Sequence, residues 1–159
     1  MIKLDKLRIE IDNIDKNISN LIIKRQSLAD KIVAVKGNNF PFDPEREKKL
    51  IKKILGFGLN PLVTERIWRQ IISSNLARQK QLKIGILDDD KYTLAAYEAY
   101  FGPYFRSYFF NEKKKLMEQL NQKKIDIVFI DKEQYFTGND FRNIFCVANF
   151  PLKGNFYKK

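Results

Sequence analysis

The stretch that decides the fold is Leu4–Lys36, with the sequence LDKLRIEIDNIDKNISNLIIKRQSLADKIVAVK. One of its seam positions, between Leu21 and Leu28, holds Arg25. The spacing predicts a single helix with one apolar seam. At the usual rise per residue this helix extends about 50 Å, which is longer than a small domain is wide. We therefore expect it to pack along a second chain. The apolar residues recur at alternating steps of three and four, at Leu4, Leu7, Ile11, Ile14, Ile18, Leu21, Leu28, Ile32 and Val35.

Composition narrows the classes of function. The chain has 159 residues, of which 44% are hydrophobic, so it can hold one ordinary domain or two small ones. Its net charge of +11 would draw a small polyanionic substrate towards it. The basic residues are spread along the chain and form no recognisable nucleic-acid module, so we expect no nucleic-acid partner.

The content of histidine and cysteine excludes further classes of function. The sequence contains no histidine and only Cys146 as a thiol, which removes the usual general base and any disulfide framework. A metal site is therefore left with few candidate ligands. No apolar run approaches the length of a membrane span, and the N-terminus does not resemble a signal peptide. The expectation is a cytoplasmic protein that does not contact a membrane.

Two further helices are predicted after the first. The turn-forming segment Gly37–Phe42 stops the first helix. Asp43-Pro44 combines an N-cap with a proline at the first helical position, and predicts a short helix to about Leu55. Asn60-Pro61 repeats this signal and opens a third helix of about twenty residues. The first eighty or so residues are therefore predicted to be all-α.

The pattern changes near Lys83, where short apolar runs begin to alternate with helical segments. This alternation is typical of parallel βαβ units. The predicted fold class is α + α/β, with a helical domain over residues 1–82 and a small α/β lobe over residues 83–159. Strands are predicted at Lys83–Leu87, Arg106–Phe110, Ile125–Ile130 and Asn143–Phe150, and helices at Tyr92–Phe101 and Glu112–Lys123.

Several polar residues interrupt the apolar stripes of the predicted helices. Arg25 and Lys36 are eleven residues apart and hence share a face of the first helix, whereas Arg8 points about 100° away from Arg25. On the third helix, Asn75 and Gln79 continue the apolar stripe. Taken singly, each is explained by snorkelling, ion pairing or a position beyond the core. Taken together, these cations and amides imply an anion-binding pocket, since a buried arginine without a partner is costly.

Three motifs resemble those of the all-helical chorismate mutases. They are LxxLRxEIDxID from Leu4, KRxxLAxxIxxxK from Lys24 and DPEREKKL from Asp43, followed by Ile67-Trp68, Ile71-Ile72 and Gln79. The resemblance covers about residues 1–82. It implies an intertwined homodimer of three-helix chains, in which each active site takes residues from both chains, and chorismate and prephenate as substrate and product.

The resemblance also implies roles for individual residues. Arg25 and the partner chain's Arg8 would bind the two substrate carboxylates. Lys36 and Gln79 would donate hydrogen bonds to the ether oxygen. Glu47 would hold the ring hydroxyl with the Asp43 region beside it, and Arg46 would help to order Glu47. Asn75 stands where family members often carry serine, and its amide can still donate a hydrogen bond. No metal or other cofactor is implied, because the rearrangement is pericyclic.

The second half of the chain resembles one lobe of the periplasmic-binding-like fold of prephenate dehydratases, through Lys83–Ile86, Ala95–Gly102 and Lys124–Phe129. The Thr-Arg-Phe motif of a working dehydratase is missing, so we do not expect a bifunctional enzyme. The lobe would then be regulatory, structural or vestigial. Acidic residues after two strands, Asp88-Asp89 and Asp131, also fit a phosphoreceiver pocket, a less favoured interpretation.

Two rival functions remain open from the sequence. The lyase branch of the same helical fold removes pyruvate from isochorismate with a similar pocket. From a different class, the helices could serve only as a dimerisation module for the C-terminal lobe.

Overall fold

The computed structural model of the chain describes residues 3–37, 40–87 and 91–130. The chain divides into two compact units, Met1–Asn39 and Phe40–Lys159. The helices and strands of each unit are described in turn.

The first unit consists of one helix, α1, over Leu4–Lys36, as the seam predicts. It ends at Gly37, whose φ of 60° lies in the region that glycine adopts without steric cost. In the single chain the seam is largely exposed. Leu21 is 66% exposed and Ile14 56%, while Ile32 is half-buried.

Two helices open the second unit, α2 over Pro44–Leu55 and α3 over Pro61–Gln79. Both begin at the predicted caps. The Oδ1 atom of Asp43 accepts a hydrogen bond from the backbone N–H of Arg46 at 3.0 Å. The Oδ1 atom of Asn60 accepts from the N–H groups of Leu62 and Val63. These contacts satisfy backbone donors that have no partner within a first helical turn.

A small parallel sheet follows, with the strand order β2-β1-β3. Both outer strands pair with β1 in the parallel sense, so the helices between them are crossover connections. This confirms the predicted βαβαβ order, although β3 is shorter than predicted. The predicted strand at Asn143–Phe150 lies outside the described residues. The elements are β1 (Lys83–Leu87), α4 (Lys91–Phe101), a 3₁₀ turn (Gly102–Tyr104), β2 (Arg106–Phe110), α5 (Lys113–Asn121) and β3 (Ile127–Phe129).

One hydrophobic core joins the helices of the second unit to the sheet. Phe42, in the segment before α2, packs against Phe101 of α4 with the ring centroids 5.7 Å apart. The same buried cluster includes Leu76 at the end of α3 and Ile84 and Ile86 of β1. The α/β lobe therefore shares its core with α3. The predicted domain boundary at residues 82/83 stays a prediction, and the compact units meet at residues 39/40.

Polar contacts also join α3 and the segment after it to the lobe. The hydroxyl of Ser73 donates to the carbonyl oxygen of Tyr100 at 2.9 Å. Asp126 accepts from the Nζ atom of Lys80 and from the backbone N–H of Lys83, both at 2.9 Å. Burial raises the pKa of Asp126, but the hydrogen bonds from Lys83 and Lys80 outweigh it, so the pKa lies below the usual value.

None of the helices that the structure describes has the length and apolarity needed to cross a membrane. No group of three or more carboxylate, thiol or imidazole side chains in the described part of the chain is placed to hold a metal ion.

Candidate active site

The eight residues predicted to form the site belong to the two compact units. Arg8, Arg25 and Lys36 lie on α1. The remaining five are at the start of α2 or on α3, and are Asp43, Arg46, Glu47, Asn75 and Gln79.

On α1 the structure gives the surroundings of two of the three cations. Arg8 is exposed, and its Nη1 atom lies 3.7 Å from Oδ1 of Asp5, one turn earlier. Arg25 is half-buried and has an interaction partner within the chain. Lys36 is the last residue of the helix.

Asp43 and Arg46 form the first turn of α2. The carboxylate of Asp43 caps the helix, as described above, and the side chain is half-buried. The side chain of Arg46 is exposed. The hydrogen bonds to the Glu47 carboxylate come from two other residues, Arg69 and Tyr100, and the ordering role that the resemblance implies for Arg46 stays a prediction.

Glu47 is buried and its carboxylate is held by donors from two other helices. Its Oε2 atom accepts a hydrogen bond from Nη1 of Arg69 at 2.9 Å. The same oxygen accepts from the hydroxyl of Tyr100. Burial raises the pKa of Glu47, and the contacts with Tyr100 and Arg69 oppose that rise without cancelling it. The carboxylate is thus fixed in position, with Oε2 already occupied.

Arg69 and Tyr100 were missed by the sequence reasoning. Arg69 is only 4% exposed and its guanidinium lies 4.3 Å from the centroid of the Tyr100 ring. Burial and the neighbouring Glu47 carboxylate raise the pKa of Tyr100, so its hydroxyl stays protonated and donates. The helical spacing of α3 could have identified Arg69. Arg69 precedes Ser73 by four residues and Leu76 by seven, which places a cation in the buried stripe of the helix.

Asn75 is buried on α3 with an unusual lack of partners. It is 3% exposed, and neither its amide nitrogen nor its amide oxygen has a hydrogen-bond partner among the described residues. A buried amide in this state costs free energy unless something bonds to it. Gln79 is half-buried and lies four residues further along, on the same face of the helix. The face therefore offers two amides, one of them with unused donors and an unused acceptor.

The family profile that matches the chain describes chorismate mutase type II, and it matches residues 7–80. These residues cover nearly all of α1 and the whole of α2 and α3. The segment that carries the predicted residues is therefore the segment that defines a type II chorismate mutase domain.

Curated relatives agree with this class. A protein named chorismate mutase from Methanocaldococcus jannaschii is 38% identical over 85 residues, which are 50% of this chain and 86% of the relative. The chain belongs to the chorismate mutase family. No solved structure matches it significantly.

Longer relatives carry two activities in their names. Bifunctional chorismate mutase/prephenate dehydratases from Stutzerimonas stutzeri and Buchnera aphidicola are 32% and 38% identical. The matches cover 63% and 60% of this chain, a larger share than residues 7–80, so the likeness extends beyond the helical part. The chain spans only 30% and 26% of the length of these two relatives.

Proposed function

We propose that the chain is a chorismate mutase, which rearranges chorismate to prephenate. The observation that carries the proposal is the match to the Methanocaldococcus jannaschii chorismate mutase, 86% of which is covered at 38% identity. The motifs around Arg8, Arg25 and Lys36 lie within the residues that the family profile matches.

The chemistry of this reaction suits a chain without histidine. The rearrangement moves electrons within one molecule, so it needs no nucleophile, proton transfer or cofactor. Catalysis comes from holding the flexible enolpyruvyl arm over the ring and from stabilising the negative charge that grows on the ether oxygen. Arginines that bind carboxylates and a lysine beside the breaking bond supply both effects.

The positions of Arg8 and Arg25 on one helix support a site shared by two copies of the chain. They are 17 residues apart on α1, which corresponds to about 26 Å along the axis and about 100° around it. One small dicarboxylate does not span that separation. We infer that Arg25 binds one carboxylate while Arg8 of the partner chain binds the other. The exposed seam of α1 is the surface that a homodimer would bury.

The ether oxygen is assigned to Lys36, the last residue of α1, and to Gln79 of α3. Asn75 of α3 is assigned as a further hydrogen-bonding group for the substrate. The unused amide of Asn75 supports this assignment, because a substrate oxygen would satisfy its donors.

At the start of α2, Asp43, Arg46 and Glu47 remain the proposed contacts near the ring hydroxyl. The contacts of Glu47 restrict its role. With Oε2 bonded to Arg69 and Tyr100, a substrate hydroxyl would have to use Oε1.

The test is the loss of chorismate absorbance with purified protein, comparing wild type, Lys36→Ala and Lys31→Ala. Lys31 is an exposed lysine on the same helix and serves as the matched control. We expect turnover by wild type and by the control, and a fall in kcat of about a hundredfold or more for Lys36→Ala, the usual effect of removing one such donor.

The same preparations separate the rival functions. Release of pyruvate from isochorismate in place of chorismate turnover would assign the chain to the lyase branch. A folded dimer without turnover of either compound would contradict the proposal and leave the helices as a dimerisation module.

A further inference from the structure

A buried cluster of three side chains joins three helices of the second unit. It consists of Glu47 from α2, Arg69 from α3 and Tyr100 from α4, and we call it the α2–α3–α4 cluster. The third member belongs to the α/β lobe, outside the residues that the family profile matches. The cluster therefore connects the lobe directly to the helix that carries Asp43, Arg46 and Glu47.

Glu47 lies at the end of the first turn of α2. Its backbone N–H closes that turn by donating to the carbonyl oxygen of Asp43 at 3.1 Å. Asp43 is also the cap, through its bond to the N–H of Arg46. Fixing the Glu47 carboxylate thus fixes the residue at which the turn closes.

The two donors to Glu47 act as one unit. Arg69 is itself buried, and its guanidinium stacks on the ring of Tyr100 while it bonds the carboxylate that the Tyr100 hydroxyl also bonds. A carboxylate held by a single donor can still rotate about its Cγ–Cδ bond. The Tyr100 hydroxyl, as a second donor to Oε2, restricts that rotation.

We propose that Tyr100 of the α/β lobe is a positioning residue for the mutase site, acting through Glu47 on the first turn of α2. The proposal rests on the proposed function. It makes the lobe a structural part of the active site of the helical half, in place of a regulatory or vestigial addition. Tyr100 itself is not assigned any contact with the substrate.

The hydroxyl can be tested separately from the ring. The ring of Tyr100 packs against Phe101 with centroids 4.8 Å apart and also contacts Phe42, so Tyr100→Phe keeps the core and removes only the hydroxyl. Tyr97 is a matched control on the same helix. It is equally buried, its hydroxyl bonds Ser107, and its ring packs against Phe101.

The first measurement is steady-state mutase activity of wild type, Tyr100→Phe and Tyr97→Phe, with the midpoint of urea unfolding for each. We expect kcat/KM to fall at least tenfold in Tyr100→Phe and less than twofold in Tyr97→Phe, with both variants folded. Equal activity of the two variants would overturn the proposal.

The second measurement is the pH profile, which a purely structural role would not change. The groups that face the Glu47 carboxylate are Tyr100 from α4, Arg69 from α3 and Asp43 from its own helix. The Tyr100 hydrogen bond lowers the pKa of Glu47, so its loss raises that pKa. The acidic limb of kcat/KM should therefore move to higher pH in Tyr100→Phe. An unmoved limb would contradict the proposed route through Glu47.

The third measurement is a double-mutant cycle. If Tyr100 acts through the Glu47 side chain, Glu47→Ala and Glu47→Ala/Tyr100→Phe should have equal kcat/KM, whereas additive losses would overturn the proposal. Its failure is distinguishable from failure of the proposed function. In the first case wild type is an active mutase that ignores the Tyr100 hydroxyl, and in the second wild type has no turnover to lose.

Discussion

The Nη1 atom of Arg69 lies 2.9 Å from Oε2 of Glu47, and both side chains are buried, although the residues are 22 positions apart on different helices. If either residue were replaced by an apolar one, the charge of the other would stay buried without a counter-charge or water around it. The pair therefore holds α2 against α3. The seam of α1, the core around Phe42 and the hydrogen bonds of Asp126 can likewise be tested by substitution.

Replacing Arg69 by Met should strongly destabilise the protein. Breaking a buried ion pair by removing one partner costs about 3–5 kcal/mol, because the remaining charge is uncompensated. Urea unfolding followed by circular dichroism measures the change, with Arg66→Met on the exposed face of α3 as control. The double variant Arg69→Met/Glu47→Leu should recover part of the loss. A stable Arg69→Met protein would show that the pair does not hold the helices.

A charge in the seam of α1 should separate the proposed dimer. Leu21 belongs to the seam and Ile23 does not, yet the two are 66% and 61% exposed in the single chain. Leu21→Glu is expected to shift sedimentation to the monomer and to abolish mutase activity, since each proposed site takes Arg8 from the partner chain. Ile23→Glu, which adds the same charge, should remain dimeric and active. Identical behaviour of the two variants would contradict the seam as the interface.

Truncating Phe42 should destabilise the helices and the lobe together. Phe42 is 7% exposed and packs on Tyr100 and Phe101, so Phe42→Ala should lower the free energy of unfolding by about 3–5 kcal/mol. Phe40→Ala, two residues earlier and 46% exposed, should cost far less. Urea unfolding followed by Trp68 fluorescence, which reports on α3, measures both losses. Equal losses in the two variants would argue against a common core.

Because of Asp126, the free energy of unfolding should depend on pH in the range around and below 3.8, the ordinary pKa of this carboxyl group. Its pKa is lowered from 3.8 in the folded protein, so the folded state binds fewer protons than the unfolded one in this range. The contribution is complete above that value and is lost as the pH falls through the folded pKa. Between pH 5 and pH 3, wild type should lose more stability than Asp126→Asn. An Asp5→Asn control, at an exposed site on α1, should follow wild type.

Local patterns predicted the secondary structure well, for physical reasons that act over a few residues. Asp43-Pro44 and Asn60-Pro61 mark helix starts because capping and proline geometry are properties of neighbouring residues. The strand at Lys83–Leu87 was found in the same way, from a short apolar run. The family resemblance, also read from the sequence, was confirmed by the comparisons.

Long-range contacts were not predictable from these patterns. The hydroxyl of Tyr100 reaches Glu47 across 53 positions, and no local pattern links a tyrosine in one helix to a carboxylate two helices earlier. The role of Arg46 beside Glu47 came from the family resemblance, which could not reveal that Arg69 and Tyr100 also bond that carboxylate. The shared core was missed because the change of pattern near Lys83 suggested a domain boundary. The roles of the eight predicted site residues stay predictions.

The core that includes Phe42, Leu76 and Ile84 limits how the helical half and the lobe can be separated. A domain that occurs in different protein contexts needs a polar, water-exposed surface on every side. Here one face of the helical half is apolar and is covered by the sheet and α4. Removing the lobe at residue 82 would expose that face to water, so a helical half that stood alone would need polar side chains there. In this chain, substitutions on that face of the helices are constrained by the residues of the lobe that cover it.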